Sequence, residues 1–216
     1  MSLAKLLQLA SPTLPVGAYS YSGGLEAAIE DGIVSDAASA ERWIGDVLEF
    51  SMARMEAPIL FSFIRSFNQK HSNEIQELNE RFLASRESAE LRAETVQMGY
   101  SLNRLLKDLG AGEVPVQEPC FPAAYAYAAA QWNIEPEAAL QAYLWAWLEN
   151  QVMAAVKAVP LGQTDGQRIL MSLGDRLPSI VATAKDVKET DLGNFAPGLA
   201  MLSAKHETQY SRLFRS

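Results

Sequence analysis

DAASAERWIGDVLEFSMARMEAPILFSFIRSFNQK, residues 36–70, decides the fold. Trp43, Ile44, Val47 and Leu48 recur at spacings of three and four, and so do Ile59, Leu60, Phe63, Ile64 and Phe67. That is the period of a helix with one buried face, not the alternation of a strand. Ser35 and Asp36 stand just before the run, where a side-chain oxygen can receive the first free backbone N–H groups. Pro58 lies between the two apolar faces. It has no N–H to give and crowds the carbonyl four residues back, so a kink or break is expected there.

The same period extends in both directions. Towards the C-terminus, Ile75, Leu78 and Phe82 mark a shorter polar helix. Leu91, Thr95, Met98, Leu102, Leu105 and Leu109 mark another, with Gly110 as its stop, and it is too short for a coiled coil. Residues 113–122 are Pro-rich and read as a connection. Ala123–Trp132 is Ala-rich and suits close packing. Pro136 suits the first turn of a helix carrying Leu140, Tyr143, Leu144 and Trp147 towards Pro160. Thr164 or Asp165 can cap a helix with Ile169, Leu170, Leu173, Leu177, Ile180 and Val181, kinked internally at Pro178. Pro197 can open a last helix with Leu199, Leu202, His206 and Leu213. Towards the N-terminus, Leu25 to Gly32 is helical, and residues 11–24, with Pro12, Pro15, Gly17, Gly23 and Gly24, are irregular. Leu3, Leu6, Leu7 and Ala10 form a short helix capped by Ser2. No strand pattern and no linker interrupts the series. The expectation is an all-α, single-domain bundle over residues 1–216, with roughly ten helices, some of them Pro-kinked.

Composition narrows the function. Hydrophobic residues at 49% and charged residues at 20% predict a folded chain. A net charge of -8 without any Lys/Arg run argues against nucleic acid. No apolar stretch approaches the roughly 20 residues that span a bilayer, so no membrane partner is expected. Met1 to Ala10 lacks a signal-peptide core. Cys120 is the single cysteine, which rules out an intrachain disulfide and a cysteine zinc cage. A cytoplasmic chain is expected.

Catalytic patterns are incomplete. His206-Glu207-Thr208-Gln209-Tyr210 falls one imidazole short of H-E-x-x-H, and His71 is the only other histidine. No phosphate-binding G-x-x-x-x-G-K-[ST] occurs. Pro160–Gln167 contains Gln163 and Asp165 and reads as a helix-to-helix turn, with a contact surface as the alternative. Ser20–Gly24 resembles a nucleophile elbow without its leading glycine or strand. A small helical serine hydrolase using Ser22 and His206 is therefore the alternative to a binding protein. No catalytic residue, metal ligand or tightly bound cofactor is expected.

Two segments are poorly explained as scaffold. Leu14–Glu26 (LPVGAYSYSGGLE) is a loop with two tyrosines, which give broad contact at an interface and need hydroxyl partners if buried. His206–Ser216 (HETQYSRLFRS) carries Tyr210, Arg212, Leu213, Phe214 and Arg215. Such an end docks either on the chain's own core or on a partner.

These two stretches, with Arg92–Ser101 (RAETVQMGYS) and Val156–Gln167 (VKAVPLGQTDGQ), resemble the UreF family of urease accessory proteins over nearly the whole chain. The resemblance implies a dimeric all-α adaptor that bridges UreD (UreH in some systems) to the GTPase UreG for GTP-dependent nickel delivery to apo-urease. Nickel and GTP would be handled by the partners, and regulation of UreG GTP hydrolysis would be a further role. Tyr19 falls on the family's loop tyrosine and Arg212 on the arginine of its terminal motif. The candidate partner-binding set is Pro15, Gly17, Tyr19, Ser22, Gly24, Glu26, Gln163, Asp165, His206, Glu207, Tyr210, Arg212, Leu213 and Phe214, with residues 206–216 as a partner-binding or dimer-stabilising element. Arginine matters at 212 because its planar five-donor fork can gather carbonyls or a carboxylate.

Overall fold

The computed structural model describes residues 3–216, so the expected Ser2 cap lies outside the described residues. Asp36 starts the deciding segment as expected. Its carboxylate accepts Ser39 N at 2.8 Å, and Ser39 Oγ accepts Asp36 N at 3.0 Å, a reciprocal cap for α3 (Ala37–Val47). At Pro58 the chain stays helical. The chain passes from α3 into a π-helical stretch, Leu48–Glu56, and then directly into α4 (Ala57–Gln69), with Pro58 in its first turn. The wider turns keep the helix continuous up to a residue that has no N–H to donate, so there is no break.

Among the described residues, eleven α-helical segments form and no strand. Besides α3 and α4 they are α1 (Leu3–Ala10), α2 (Leu25–Glu30), α5 (Ser72–Ala84), α6 (Ala89–Asp108), α7 (Phe121–Gln131), α8 (Pro136–Ala158), α9 (Gln163–Gly174), α10 (Leu177–Ala184) and α11 (Pro197–His206). The all-α reading holds. Pro178 does not kink a long helix, however. It sits in the first turn of α10, after α9 has ended at Gly174. A proline disfavours helical backbone just before it and is harmless in a first turn, so the sequence restarts the helix instead of bending it. Gly162, not Thr164 or Asp165, is the N-cap of α9, and Asp165 lies in its first turn, where a carboxylate suits the helix dipole. Leu213 lies beyond α11, which stops at His206.

Nearly all the buried apolar residues join into one cluster. α7 packs between α4 and α6, using Ala123, Ala124, Ala126, Ala128 and Ala129 for close approach. Its start is pinned by α5 and α6: Asn79 bonds both Glu118 O and Cys120 N at 2.9 Å, and Thr95 Oγ1 accepts Phe121 N at 3.0 Å. Gly99 permits this contact, since a Cβ there would lie 2.0 Å from Pro119 O. α8 packs on α1, α9, α10 and α4. No helix among the described residues is long and apolar enough to cross a membrane.

Candidate functional site: the docked tail

Three helix ends converge on the C-terminal tail. Gly24, at φ +80, turns the loop into α2 and places Glu26 in that helix's first turn. A Cβ on Gly24 would stand 3.0 Å from Leu199 Cδ1, so glycine also lets α11 lie against α2. Ser88 caps α6 by accepting Leu91 N at 3.1 Å, which places Glu90 in the first turn of that helix. α11 delivers His206 between these two carboxylates, with 0% of it exposed.

Glu26 organises the junction. Its Oε1 accepts Leu213 N at 2.6 Å, and its Oε2 accepts Phe214 N at 2.9 Å and faces His206 Nε2 at 3.1 Å. His206 Nδ1 faces Glu90 Oε2 at 2.6 Å, and Arg212 Nη1 reaches Glu90 Oε1 at 2.6 Å. Arg212 uses the rest of its fork on the tail itself, donating to Gln209 O at 2.9 Å and Glu207 O at 2.6 Å. Glu207 in turn accepts Ala89 N at 2.8 Å.

The last residues close onto the loop. Ser22 N donates to Ser216 O at 2.7 Å, Ser22 Oγ donates to the same oxygen, and Arg215 N donates to Ser20 O at 2.7 Å. Ser216 Oγ donates to Glu94 Oε2 at 2.7 Å. Burial pushes the Glu94 carboxyl up to about 7, against the lowering effect of the Ser216 hydroxyl. Burial likewise raises the Tyr21 hydroxyl, opposed by its hydrogen bond with Arg215. Phe214 is buried beneath, with Lys157 Nζ 6.0 Å from its ring centre. Below the loop and tail lies a cavity of about 460 Å³, apolar near Leu14, Val16 and Phe214 and charged near Glu56, Arg86 and Glu94. At that charged end Glu56 pairs with Arg86 at 3.4 Å and accepts the Tyr143 hydroxyl.

The family model described as UreF matches residues 34–174. The chain is 57% identical to a urease accessory protein UreF of Azoarcus sp. (strain BH72), over 100% of this chain and 96% of that one. It is 55% identical to the UreF of Dechloromonas aromatica (strain RCB), over 100% and 98%. The chain belongs to the UreF family. The full-length matches also take in the loop and tail, which lie outside residues 34–174. A bifunctional urease accessory protein UreEF of Bordetella bronchiseptica is 47% identical over 99% of this chain, which covers 52% of that longer protein.

Most of the residues singled out from sequence come together in this UreF-family fold. Ser22, Gly24, Glu26, His206, Glu207, Arg212, Leu213 and Phe214 share one hydrogen-bonded junction or its immediate packing. Pro15 is exposed in the loop, and Gly17, at φ +80, opens the short turn Ala18–Ser20 that carries Tyr19 outward. Tyr19 is 66% exposed, Leu213 is 72% exposed, and Tyr210 is fully exposed. The tail therefore docks on the chain's own helices while offering these three side chains to solvent. Gln163 and Asp165 lie elsewhere, at the start of α9, where Asp165 pairs with Arg168 at 2.9 Å.

Glu90 and Glu94 were missed. Glu94 lies inside the quoted stretch Arg92–Ser101 and Glu90 two residues before it, but nothing local marks either as a tail ligand. The serine-hydrolase alternative finds no support in the geometry. Both nitrogens of His206 face carboxylates, and Ser22 Oγ is engaged by Ser216 O and by Glu26 N at 3.2 Å. Among the described residues no group of three or more His, Cys, Asp and Glu side chains could hold a metal ion.

Proposed function

We propose that this UreF-family chain is a non-enzymatic adaptor of urease maturation. It bridges UreD (UreH) to the GTPase UreG for nickel insertion into apo-urease and regulates GTP hydrolysis by UreG. It acts in the cytoplasm as a homodimer, and nickel and GTP stay with the partners. One observation carries this reading: the loop and the tail form a single hydrogen-bonded unit whose anchors are buried while Tyr19, Tyr210 and Leu213 remain exposed. Tyrosine and leucine held out on an ordered support are what a contact surface needs. The relative named as a bifunctional UreEF supports association with other urease accessory proteins.

Deleting residues 212–216 tests the proposal. The shortened chain is expected to keep its helical circular dichroism but to lose co-elution with UreD and UreG in size-exclusion chromatography. Full urease activation by the shortened chain would remove the role given to the tail.

A further inference from the structure

The cavity beneath the loop and tail is built like a small-molecule site. Its volume, about 460 Å³, lies within the ordinary range of ligand pockets. Tyr19 on the loop and Met153 and Lys157 on α8 line it and are exposed, which places its mouth between these two elements. Further in, the wall is mostly apolar, with Leu14, Val16, Met98 and Phe121 among its residues. Such walls hold the body of a ligand, and a few charged groups select its head.

Those charged groups do not balance. Four carboxylates line the cavity, Glu56, Glu87, Glu94 and Glu149, against two cations, Arg86 and Lys157. Arg86 is spent on the protein. Its Nη1 pairs with Glu56 at 3.4 Å, its Nη2 donates to Ser85 Oγ at 3.1 Å, and its guanidinium lies 4.2 Å from the centre of the Phe82 ring. Its Nε has no partner, but that atom is covered by protein and does not call for an anion in the cavity. Lys157 stands at the exposed rim, with its ammonium 6.0 Å from the centre of the Phe214 ring, and among the described residues it pairs with no carboxylate. Glu56 is satisfied by Arg86 and the Tyr143 hydroxyl, and Glu87 is exposed to solvent.

That leaves Glu94 and Glu149. Glu94 lies deep in the fold yet keeps some accessible surface, which faces the cavity. Among the described residues its carboxylate has one hydrogen bond, from Ser216 Oγ at 2.7 Å, the Glu149 carboxylate has none, and neither forms an ion pair. Burial raises both carboxyls, that of Glu94 up to about 7, as it does where a carboxylate leaves water without a close cation.

We propose that this cavity binds a small organic ammonium ion, its charge facing Glu94 and its apolar stem lying along Leu14, Val16 and Met98. Glu94 and Met98 stand one turn apart on the same face of α6, so head and stem contacts adjoin. Glu149 adds to the negative field from α8. Phe121, Tyr143 and Trp147 also line the cavity, and aromatic ring faces attract an ammonium. An anion would add a further negative charge beside four carboxylates. A metal ion fits no better, because among the described residues no three His, Cys, Asp or Glu side chains converge to hold one. A neutral apolar molecule would suit the walls and leave Glu94 without a cation. The site stands whether or not the tail meets a partner.

The test titrates the full-length chain with three probes that share one stem: hexylammonium, n-hexanol and hexanoate. It is run at about pH 8, where a carboxyl at about 7 is mostly ionised. Calorimetry gives the affinities. Methyl shifts of Leu14, Val16 and Met98 in ¹H–¹³C NMR locate the probe, and so separate the cavity from general attraction to a chain of net charge -8. Hexylammonium is expected to shift these signals and to bind about tenfold or more tighter than n-hexanol, the worth of one charged hydrogen bond, with hexanoate weakest. Glu94→Gln keeps an acceptor for the Ser216 hydroxyl and removes the charge. In that variant n-hexanol should bind as before and the preference for the ammonium should largely disappear. Equal affinity for ammonium and alcohol, tightest binding of hexanoate, shifts confined to other parts of the chain, or no binding of any probe overturns the proposal. So does an undiminished preference for the ammonium in Glu94→Gln. The three-probe comparison on the wild-type chain decides the sign of the charge even if that variant fails to fold.

Discussion

Glu26→Gln is the sharpest probe of the junction because it keeps the side chain's shape and removes its charge. The carboxylate accepts Leu213 N at 2.6 Å and Phe214 N at 2.9 Å and faces His206 Nε2 at 3.1 Å. Glutamine has one acceptor oxygen, and its NH₂ group would face at least one of those donors. A hydrogen bond to a charged group is worth about 1.5–3 kcal/mol, and a buried donor left unpaired costs about 1–3 kcal/mol. These figures describe the same loss from two sides and do not add. We therefore expect tail docking to weaken by about 2–3 kcal/mol, or about 30–100-fold in the docking equilibrium at 1.4 kcal/mol per factor of ten. Native-state hydrogen exchange at the Leu213 and Phe214 amides reads this directly. Protection at those two positions should fall by that factor or to the limit set by free tail. Amides in α4 and α7 should be unchanged. Wild-type protection at Leu213 and Phe214 in the variant would show that Glu26 does not hold the tail.

Three further substitutions separate docking, core and contact. Arg212→Lys keeps a charge near Glu90 but cannot reach Gln209 O and Glu207 O together. Because the side chain is 33% exposed, the expected loss in partner affinity is modest, about 1–2 kcal/mol by titration calorimetry, with no change in thermal unfolding. Gly99→Ala would push a Cβ to 2.0 Å from Pro119 O, which is backbone and cannot swing away, so stability should fall by about 3 kcal/mol in denaturant unfolding. An unchanged unfolding midpoint would mean that α6 does not approach residues 119–120 so closely. Tyr19→Ala removes an exposed ring, so stability should stay within about 0.5 kcal/mol while partner binding weakens by about 2 kcal/mol if the ring is a hot spot. Unfolding of the isolated variant would instead place Tyr19 among the structural residues.

Local signals in the sequence carried local structure well. Asp36 caps its helix, Pro136 opens α8, and Gly110 lies just past the end of α6 at φ +70. Each of these depends on groups within four residues of one another, which is the range over which a sequence can be read. The two prolines inside apolar runs were harder. Pro58 and Pro178 present the same local problem, yet the first is met by a π-helical stretch and the second by a new helix. Which remedy wins depends on what packs against each segment, and that is not a local property. The site divides in the same way. Tyr19, Glu26, His206 and Arg212 stand in compact, unusual stretches. Glu90 and Glu94 sit among ordinary helical carboxylates and gain their role only from a tail more than a hundred positions away.

The way the tail is held also explains why it suits a contact role. Phe214 is the tail residue that buries a large apolar side chain, and the other anchors are hydrogen bonds and ion pairs. Buried polar contacts give up much of their strength to desolvation, so such a junction is specific in geometry without being strongly stable. An apolar tail of the same length would either stay shut or, once released, expose a surface prone to association. Closure depends on a set of polar partners: Glu26, Glu90, Glu94, His206 and Arg212 hold the tail together, and removing any one leaves a neighbour without a hydrogen-bond partner. Exposed Tyr19, Tyr210 and Leu213 are then presented on a support that the rest of the chain can rearrange at low energetic cost.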